Sequence, residues 1–478
     1  MTQGHATDSA GRFALPADAI ERLERRVRRA ARSRRSAIVS VTVPVDRPLD
    51  PVAVLTAART EHEPWAVLEQ PARDGAVVAG IGSAVELAAT GERRFETVAR
   101  AWRELLSRSY GDALDGAVAG SGPIAIGGFA FAPDGGNARE WQGFSAASLV
   151  VPEVAIARRG ADVRLTASLL VEPGVNPQAT LQRLVERVAS LALDARIPEL
   201  PTYASEPKVS GVAPPEHYLD AVHRATERIA RGDFEKIVLA RAVDVSAPAP
   251  IVPEAIFGVL REGFGDCHLV AVGRGDATFI AATPELLVRR EGMRAATLAL
   301  AGSARRSADP AVDAHLAEQL MRSSKDREEH ELVVRRIKRA LSPVAVWVAA
   351  GDEPEVAQIA NIQHLATPVR AQLTQPISAI ELAGRLHPTP AVGGEPADAA
   401  LPAIPALEGL DRGWYAGPIG WTDSSEDGEF VVGLRSAVVR GSLARCYAGV
   451  GVVGASDPAS ELAETELKLG ALLPVLSL

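Results

Sequence analysis

The sequence predicts an α+β fold with mostly antiparallel sheets, and three observations point there. Helix-like and strand-like segments alternate to about residue 195, a clean apolar helix pattern at 217–232 runs directly into a β-branched stretch, and short strands separated by helices follow. The chain has 478 residues, 47% of them hydrophobic, enough to bury the core of one large or two ordinary domains.

From the start, MTQGHATDSAGRF lacks the charged opening and apolar stretch of a secretory leader. No apolar run approaches the roughly 20 residues needed to span a bilayer. A cytoplasmic protein with no membrane contact is therefore expected, and Cys267 and Cys446 are too few for a disulfide framework and read as core thiols. RLERRVRRAARSRR (22–35) places eight arginines in fourteen positions. It reads as a solvated helix face, with an anion-binding or targeting segment as the alternative, and the net charge of −9 argues against a general nucleic-acid binder. SAIVSVTVPV (36–45) reads as a strand. No fixed-period repeat appears. IPELPTYASEPKVSGVAPPEH (197–217), rich in Pro, Ser and Gly, is the best candidate boundary and divides a region 1–204 from a region 205–478. In HYLDAVHRATERIARG, Tyr218, Ala221, Val222, Ala225 and Ile229 share one helix face and Gly232 stands where a capping glycine belongs. FEKIVLARAVDV then switches to a strand.

Some motifs fail on context. GVGVVG (449–454) matches a dinucleotide fingerprint, but only 24 residues follow Gly454 and position 474 is Pro474, leaving no room for the helix and second strand such a unit needs. In EEHELVV (328–334) the fourth step after His330 is Val334, so the zinc-helix pattern is incomplete. Neither GxSxG nor a Walker glycine loop occurs, which removes the simplest acyl-transfer and NTPase readings.

Two acidic segments remain. SDPASELAETELKL (456–469) reads as a helix with Ser456 or Asp457 as N-cap and Pro458 in its first turn, which makes Glu461 and Glu464 neighbours on one face. By itself that is also the pattern of a solvated face with a Glu to Lys pair. SSKDREEHELVVRRI carries Asp326, Glu328 and Glu329, and two such helices facing each other would suit Mg²⁺, held through carboxylates and water.

Taken together, FEKIVLAR, FIAATPELLVRREG, LALAGSARR, SSKDREEHELVV, IQHLATPV, LHPTPAVGG, RGWYAGPIGW, FVVGLRSAVV and YAGVGVVGASDPASELAETELKL resemble the chorismate-utilising family over roughly residues 205–475. That family contains isochorismate synthases, salicylate synthases, anthranilate synthase component I and aminodeoxychorismate synthase component I. The resemblance implies the chorismate-binding fold of anthranilate synthase component I: two packed, mostly antiparallel sheets flanked by helices, with a variable N-terminal region in the same globular body. It also implies Mg²⁺ dependence. Lys236 matches the general base, which as a neutral amine would need neighbouring cations or burial, and Glu285 matches the general acid, which must stay protonated in a poorly solvated site. Glu329, Glu461 and Glu464 would hold Mg²⁺, and Arg435 would pair with a substrate carboxylate. Gly302, Ser303, Gly449 and Gly451 would line the substrate, with His364, Tyr415 and Lys468 completing the pocket. Ser303 departs from the family's more frequent threonine.

Within the family, Ala301 stands where aminodeoxychorismate synthases often carry a nucleophilic lysine, and members using ammonia tend to lack the lysine matching Lys236. Water is the implied nucleophile, so no glutamine amidotransferase subunit is expected. Ala391 stands where salicylate synthases tend to have threonine, which favours stopping at isochorismate. The expectation is a monomeric isochorismate synthase, an isomerase feeding menaquinone or siderophore biosynthesis. A salicylate synthase and an inactive chorismate-binding protein are the alternatives.

Overall fold

Alternation within single strands sets the architecture. In Trp65–Gln70, Ala66 and Leu68 enter one hydrophobic core while Trp65 and Val67 enter another, because successive side chains leave a strand on opposite faces. The computed structural model describes residues 11–114, 116–359 and 362–477. The expectation about a leader segment falls mainly on residues 1–10, outside the described residues.

Among the described residues the strands form one sheet of 12 and one of 10, and every ladder between strands is antiparallel. The larger sheet starts with N-terminal strands and crosses into the C-terminal half where Trp65–Gln70 pairs with His268–Arg274. It ends with Ser436–Arg440, Leu443–Val452, Lys236–Ser246 and the short Gly394–Glu395. The smaller sheet likewise joins Ile124–Phe129 to Pro418–Asp423. Its other end is formed by Arg294–Arg305, Ile362–Leu373 and Ala345–Ala350.

One core lies between the sheets and includes Leu68 and Val270 from the larger sheet and Ile126, Val288 and Phe430 from the smaller. The other covers the outer face of the larger sheet under helices such as Ala17–Ala31 and Pro253–Gly263, with Leu23, Val27 and Phe257 fully buried. Each such side chain contributes roughly 1.5–3 kcal/mol by leaving water.

The strand expected at 36–45 is Ala37–Pro44. The helix expected at 217–232 is Pro215–Ala230, with Tyr218, Ala221, Val222 and Ala225 buried, and Gly232 follows it at a φ of +81°. The arginine-rich run lies mostly in Ala17–Ala31, where Arg22 and Arg26 pair with Asp112 and Arg29 stacks over Tyr110. Among the described residues no helix is long and apolar enough to cross a membrane.

Candidate active site

A cavity of about 280 Å³ opens where the two sheets end beside two helices, Ser324–Leu341 and Pro458–Leu469. Its floor comes from paired strands: Gly449 stands opposite Ala240 and Gly451 opposite Val238. Its far wall comes from Arg294–Arg305 and Ile362–Leu373, where Ser303 pairs with His364. A register shift between Ala301 and Ser303 falls at Gly302, whose φ is +73° and whose missing Cβ would lie 3.0 Å from Asp326 Cβ. The bulge turns the strand end toward the cavity at a conformation that glycine adopts without strain.

Both acidic helices present residues to this space. Asp457 caps Pro458–Leu469 by accepting from Ser460 N at 2.9 Å, which sets Glu461 and Glu464 toward the cavity. On Ser324–Leu341, Asp326 and Glu329 line it, while Glu328 is exposed on another face. Glu285, Gly302, Ser303, His364, Ala391, Tyr415, Arg435, Gly449, Gly451 and Lys468 line it as well.

Lys236 is the exception. It is 2% exposed and sits behind the cavity wall, where Nζ donates to Glu329 Oε1 at 2.7 Å. A Cβ at Gly451 would lie 2.8 Å from Lys236 Cε and 3.3 Å from Nζ, so the missing side chain makes room for the lysine chain against the cavity floor. A base role called for neighbouring cations or burial: the amine is buried, but its charged contact is a carboxylate. Burial raises the Glu329 carboxyl, but the charges of Lys236, Lys468 and Lys325 outweigh it and hold the group below its ordinary range.

Glu285 behaves oppositely. Burial pushes its carboxyl from 4.5 up to about 7, against the lowering pull of a Thr389 hydrogen bond, Lys236 and Lys468. Arg435 is buried with no carboxylate partner among the described residues. Its Nη2 lies 3.0 Å from His364 Nε2, the Cys267 thiol lies against the group, and among the described residues its buried Nη1 has no hydrogen-bond partner. Burial, with the charges of Arg435 and Lys468, pushes His364 down to about 3. The neutral ring donates from Nδ1 to Gly302 O at 3.1 Å and accepts from Arg435 at Nε2. A buried guanidinium that is held by His364 and has no carboxylate partner, with Nη1 left over, suits an anion.

Among the described residues no three acidic, imidazole or thiol groups gather as a ready metal cluster. The donor set still suits a hard cation: Glu329, Glu461 and Glu464 border one cavity, and Glu461 is raised first by burial and further by the Glu464 charge. Their counter-charges are lysines, with the half-exposed Lys325 standing 3.9 Å from Glu461 and Lys468 2.9 Å from Glu464.

Three groups escaped sequence reasoning. Thr389 Oγ1 donates to Glu285 Oε1 at 3.3 Å, and its signal was a hydroxyl inside HPTPAV. Lys325 lines the cavity beside the acidic run. The buried pair Glu408 and Arg412 has no spacing signal at all. Arg412 holds Glu408, Val238 O at 2.9 Å and Val392 O at 2.7 Å, while Glu408 accepts Ala240 N at 2.6 Å.

The model of a family described as chorismate binding enzyme matches residues 24–477. The salicylate biosynthesis isochorismate synthase of Pseudomonas aeruginosa is 38% identical over 456 residues, 95% of this chain and 93% of that protein. Isochorismate synthase MenF of Bacillus subtilis is 33% identical over 74% of this chain and 75% of that protein. The structure of MenF, the menaquinone-specific isochorismate synthase from Escherichia coli, superposes with a TM-score of 0.77 at 26% identity, covering 96% of this chain and 99% of that one. The two antiparallel sheets, the cavity at their ends and a family match spanning nearly the whole chain agree: this protein belongs to the chorismate-binding enzyme family.

Proposed function

We propose that the protein is an isochorismate synthase, an isomerase that converts chorismate reversibly to isochorismate for menaquinone or siderophore biosynthesis. The observation that carries this reading is one cavity bordered by a neutral-leaning buried acid, Glu285, with a buried amine, Lys236, packed directly behind its Gly451 wall. A carboxylic acid that keeps its proton and an amine able to take one, both beside one cavity, can serve as an acid and base pair.

In the proposed reaction Lys236, having released a proton to solvent, accepts one from the attacking water as its oxygen bonds to C2 of the ring. Glu285 gives its proton to the C4 hydroxyl, which leaves as water while the double bonds shift. Atoms balance, since one water enters and one departs. Arg435 Nη1 takes one substrate carboxylate, with the guanidinium held by His364. Gly302, Ser303, Gly449 and Gly451 admit the ring close to backbone, and Ala391, Tyr415 and Lys468 complete the enclosure. Glu329, Glu461 and Glu464 would hold Mg²⁺, which when bound neutralises the ring carboxylate. Residues 205–478 supply all these groups and 1–204 supply sheet around them, so a single copy is complete and a monomer suffices. Water as nucleophile requires no glutaminase partner.

The test is product analysis with chorismate and Mg²⁺, without ammonia or glutamine. Isochorismate approaching an equilibrium mixture without pyruvate is expected. Salicylate with matching pyruvate would replace the reading with a salicylate synthase, and bound but unconverted chorismate with an inactive binding protein.

A further inference from the structure

Glu285 is buried and its carboxyl has one hydrogen-bond partner among the described residues, the hydroxyl of Thr389 at 3.3 Å from Oε1. Thr389 itself is 5% exposed and does not border the cavity. Its carbonyl is fixed by Val392 N at 3.1 Å and Gly393 N at 2.9 Å, so its backbone has little freedom. Among the described residues the hydroxyl hydrogen has no acceptor besides Glu285 Oε1. A buried hydroxyl that accepted from the carboxyl instead would leave its own hydrogen unsatisfied, so donation is the favoured sense.

A neutral carboxylic acid has one carbonyl oxygen and one hydroxyl oxygen. Donation to Oε1 makes Oε1 the carbonyl, which leaves the acidic proton on Oε2. We propose that Thr389 is a positioning residue that fixes the transferable proton of Glu285 on Oε2. It acts through Glu285 and touches no reacting atom. This rests on the reading of Glu285 as the acid of the proposed reaction.

The charged and titratable groups facing this carboxyl are Lys236 from Lys236–Ser246, Lys468 from Pro458–Leu469 and the Tyr415 phenol. Removing the hydroxyl leaves those groups in place and removes one interaction that favours the ionised form. The carboxyl then keeps its proton to higher pH, whereas a loosened pocket that admitted water would let it go at lower pH.

The experiment compares wild type with Thr389→Val and Thr389→Ser, the first keeping branched shape without the hydroxyl and the second keeping the hydroxyl. For Thr389→Val, kcat is expected to fall about three- to tenfold, the worth of one hydrogen bond. KM should hold within about twofold, and the basic limb of the rate profile should move upward. Thr389→Ser should restore all three. A basic limb that is unmoved or moved downward in Thr389→Val, or a serine variant no better than valine, would overturn the assignment. The infrared carbonyl band of the protonated carboxyl, isolated by subtracting a Glu285→Gln spectrum, reads the same bond without turnover. It should shift to higher frequency in Thr389→Val and return in Thr389→Ser, and an unmoved band overturns the proposal. Failure of wild type to form isochorismate would strike the parent function and leave the infrared result standing.

Discussion

Glu285 and Arg435 are both buried, and what surrounds each decides its task. With no cation in contact, Glu285 retains its proton to about 7, whereas Arg435 keeps its charge and an unused Nη1. The proposed acid role predicts that the rate falls as pH rises past about 7, when Glu285 ionises. Glu285→Gln should lower kcat by about 10²- to 10⁴-fold with chorismate binding retained, and an unchanged rate would reassign the acid. Stability follows the same sign. The unfolded chain releases this proton near 4.5 and the folded chain near 7, so the group's contribution is fully present below 4.5 and lost as pH rises through about 7. Urea unfolding from pH 4 to 8 should show this slope in wild type and a flatter one in Glu285→Gln. Gly451 makes a second residue-scale prediction. An alanine there would set a Cβ 2.8 Å from Lys236 Cε, forcing the lysine chain to move. Gly451→Ala should lose at least about tenfold in kcat with a folded protein by circular dichroism, and full activity would show that the rate does not depend on where Lys236 is held.

Elements bring these residues together, and the two acidic helices do so most directly. Each holds its carboxylates at helical spacing, but only their common cavity makes Glu329, Glu461 and Glu464 a set. Glu464→Ala should raise the Mg²⁺ concentration needed for half-maximal rate by about 10- to 100-fold, in the range seen when metal shells are damaged, and an unaltered titration would move the ion elsewhere. The Glu408 and Arg412 pair binds elements rather than substrate, joining Lys236–Ser246 to the segment after Leu386. Arg412→Ala leaves Glu408 buried and unpaired, so it should cost about 3–5 kcal/mol in urea unfolding, and a loss below about 1 kcal/mol would refute the clamp. Legibility in the sequence follows the same division. A cap at Ser456 or Asp457, which the structure places at Asp457, Gly232 after its helix and the facing of Glu461 and Glu464 are local features, so they could be read directly. The Thr389 contact with Glu285 spans 104 positions and the Arg412 contact with Val238 spans 174, and no local pattern encodes such meetings. The contact of Lys236 with Glu329 belongs there too, since a strand-edge lysine in sequence says nothing of which carboxylate will meet it.

At the scale of the whole molecule, the strands before and after residue 204 form one pair of sheets. Five strands of the larger sheet and three of the smaller come from before residue 204. Trp65–Gln70 meets His268–Arg274 at the middle of the larger sheet, and Ile124–Phe129 meets Pro418–Asp423 within the smaller. A chain reduced to 205–478 would expose both of those edges and the apolar faces of Val270, Val272 and Ile419, all now buried. Unpaired, apolar edges of that kind favour aggregation over folding. The truncated chain is therefore expected to be insoluble or to lack a cooperative thermal transition, although it contains every proposed site residue. Adding residues 1–204 as a separate chain during refolding should recover soluble protein and turnover if the two regions pair as edges. A soluble 205–478 fragment with wild-type rate would show instead that the cavity is held by the C-terminal strands and helices alone, and that the N-terminal strands only extend a fold already complete.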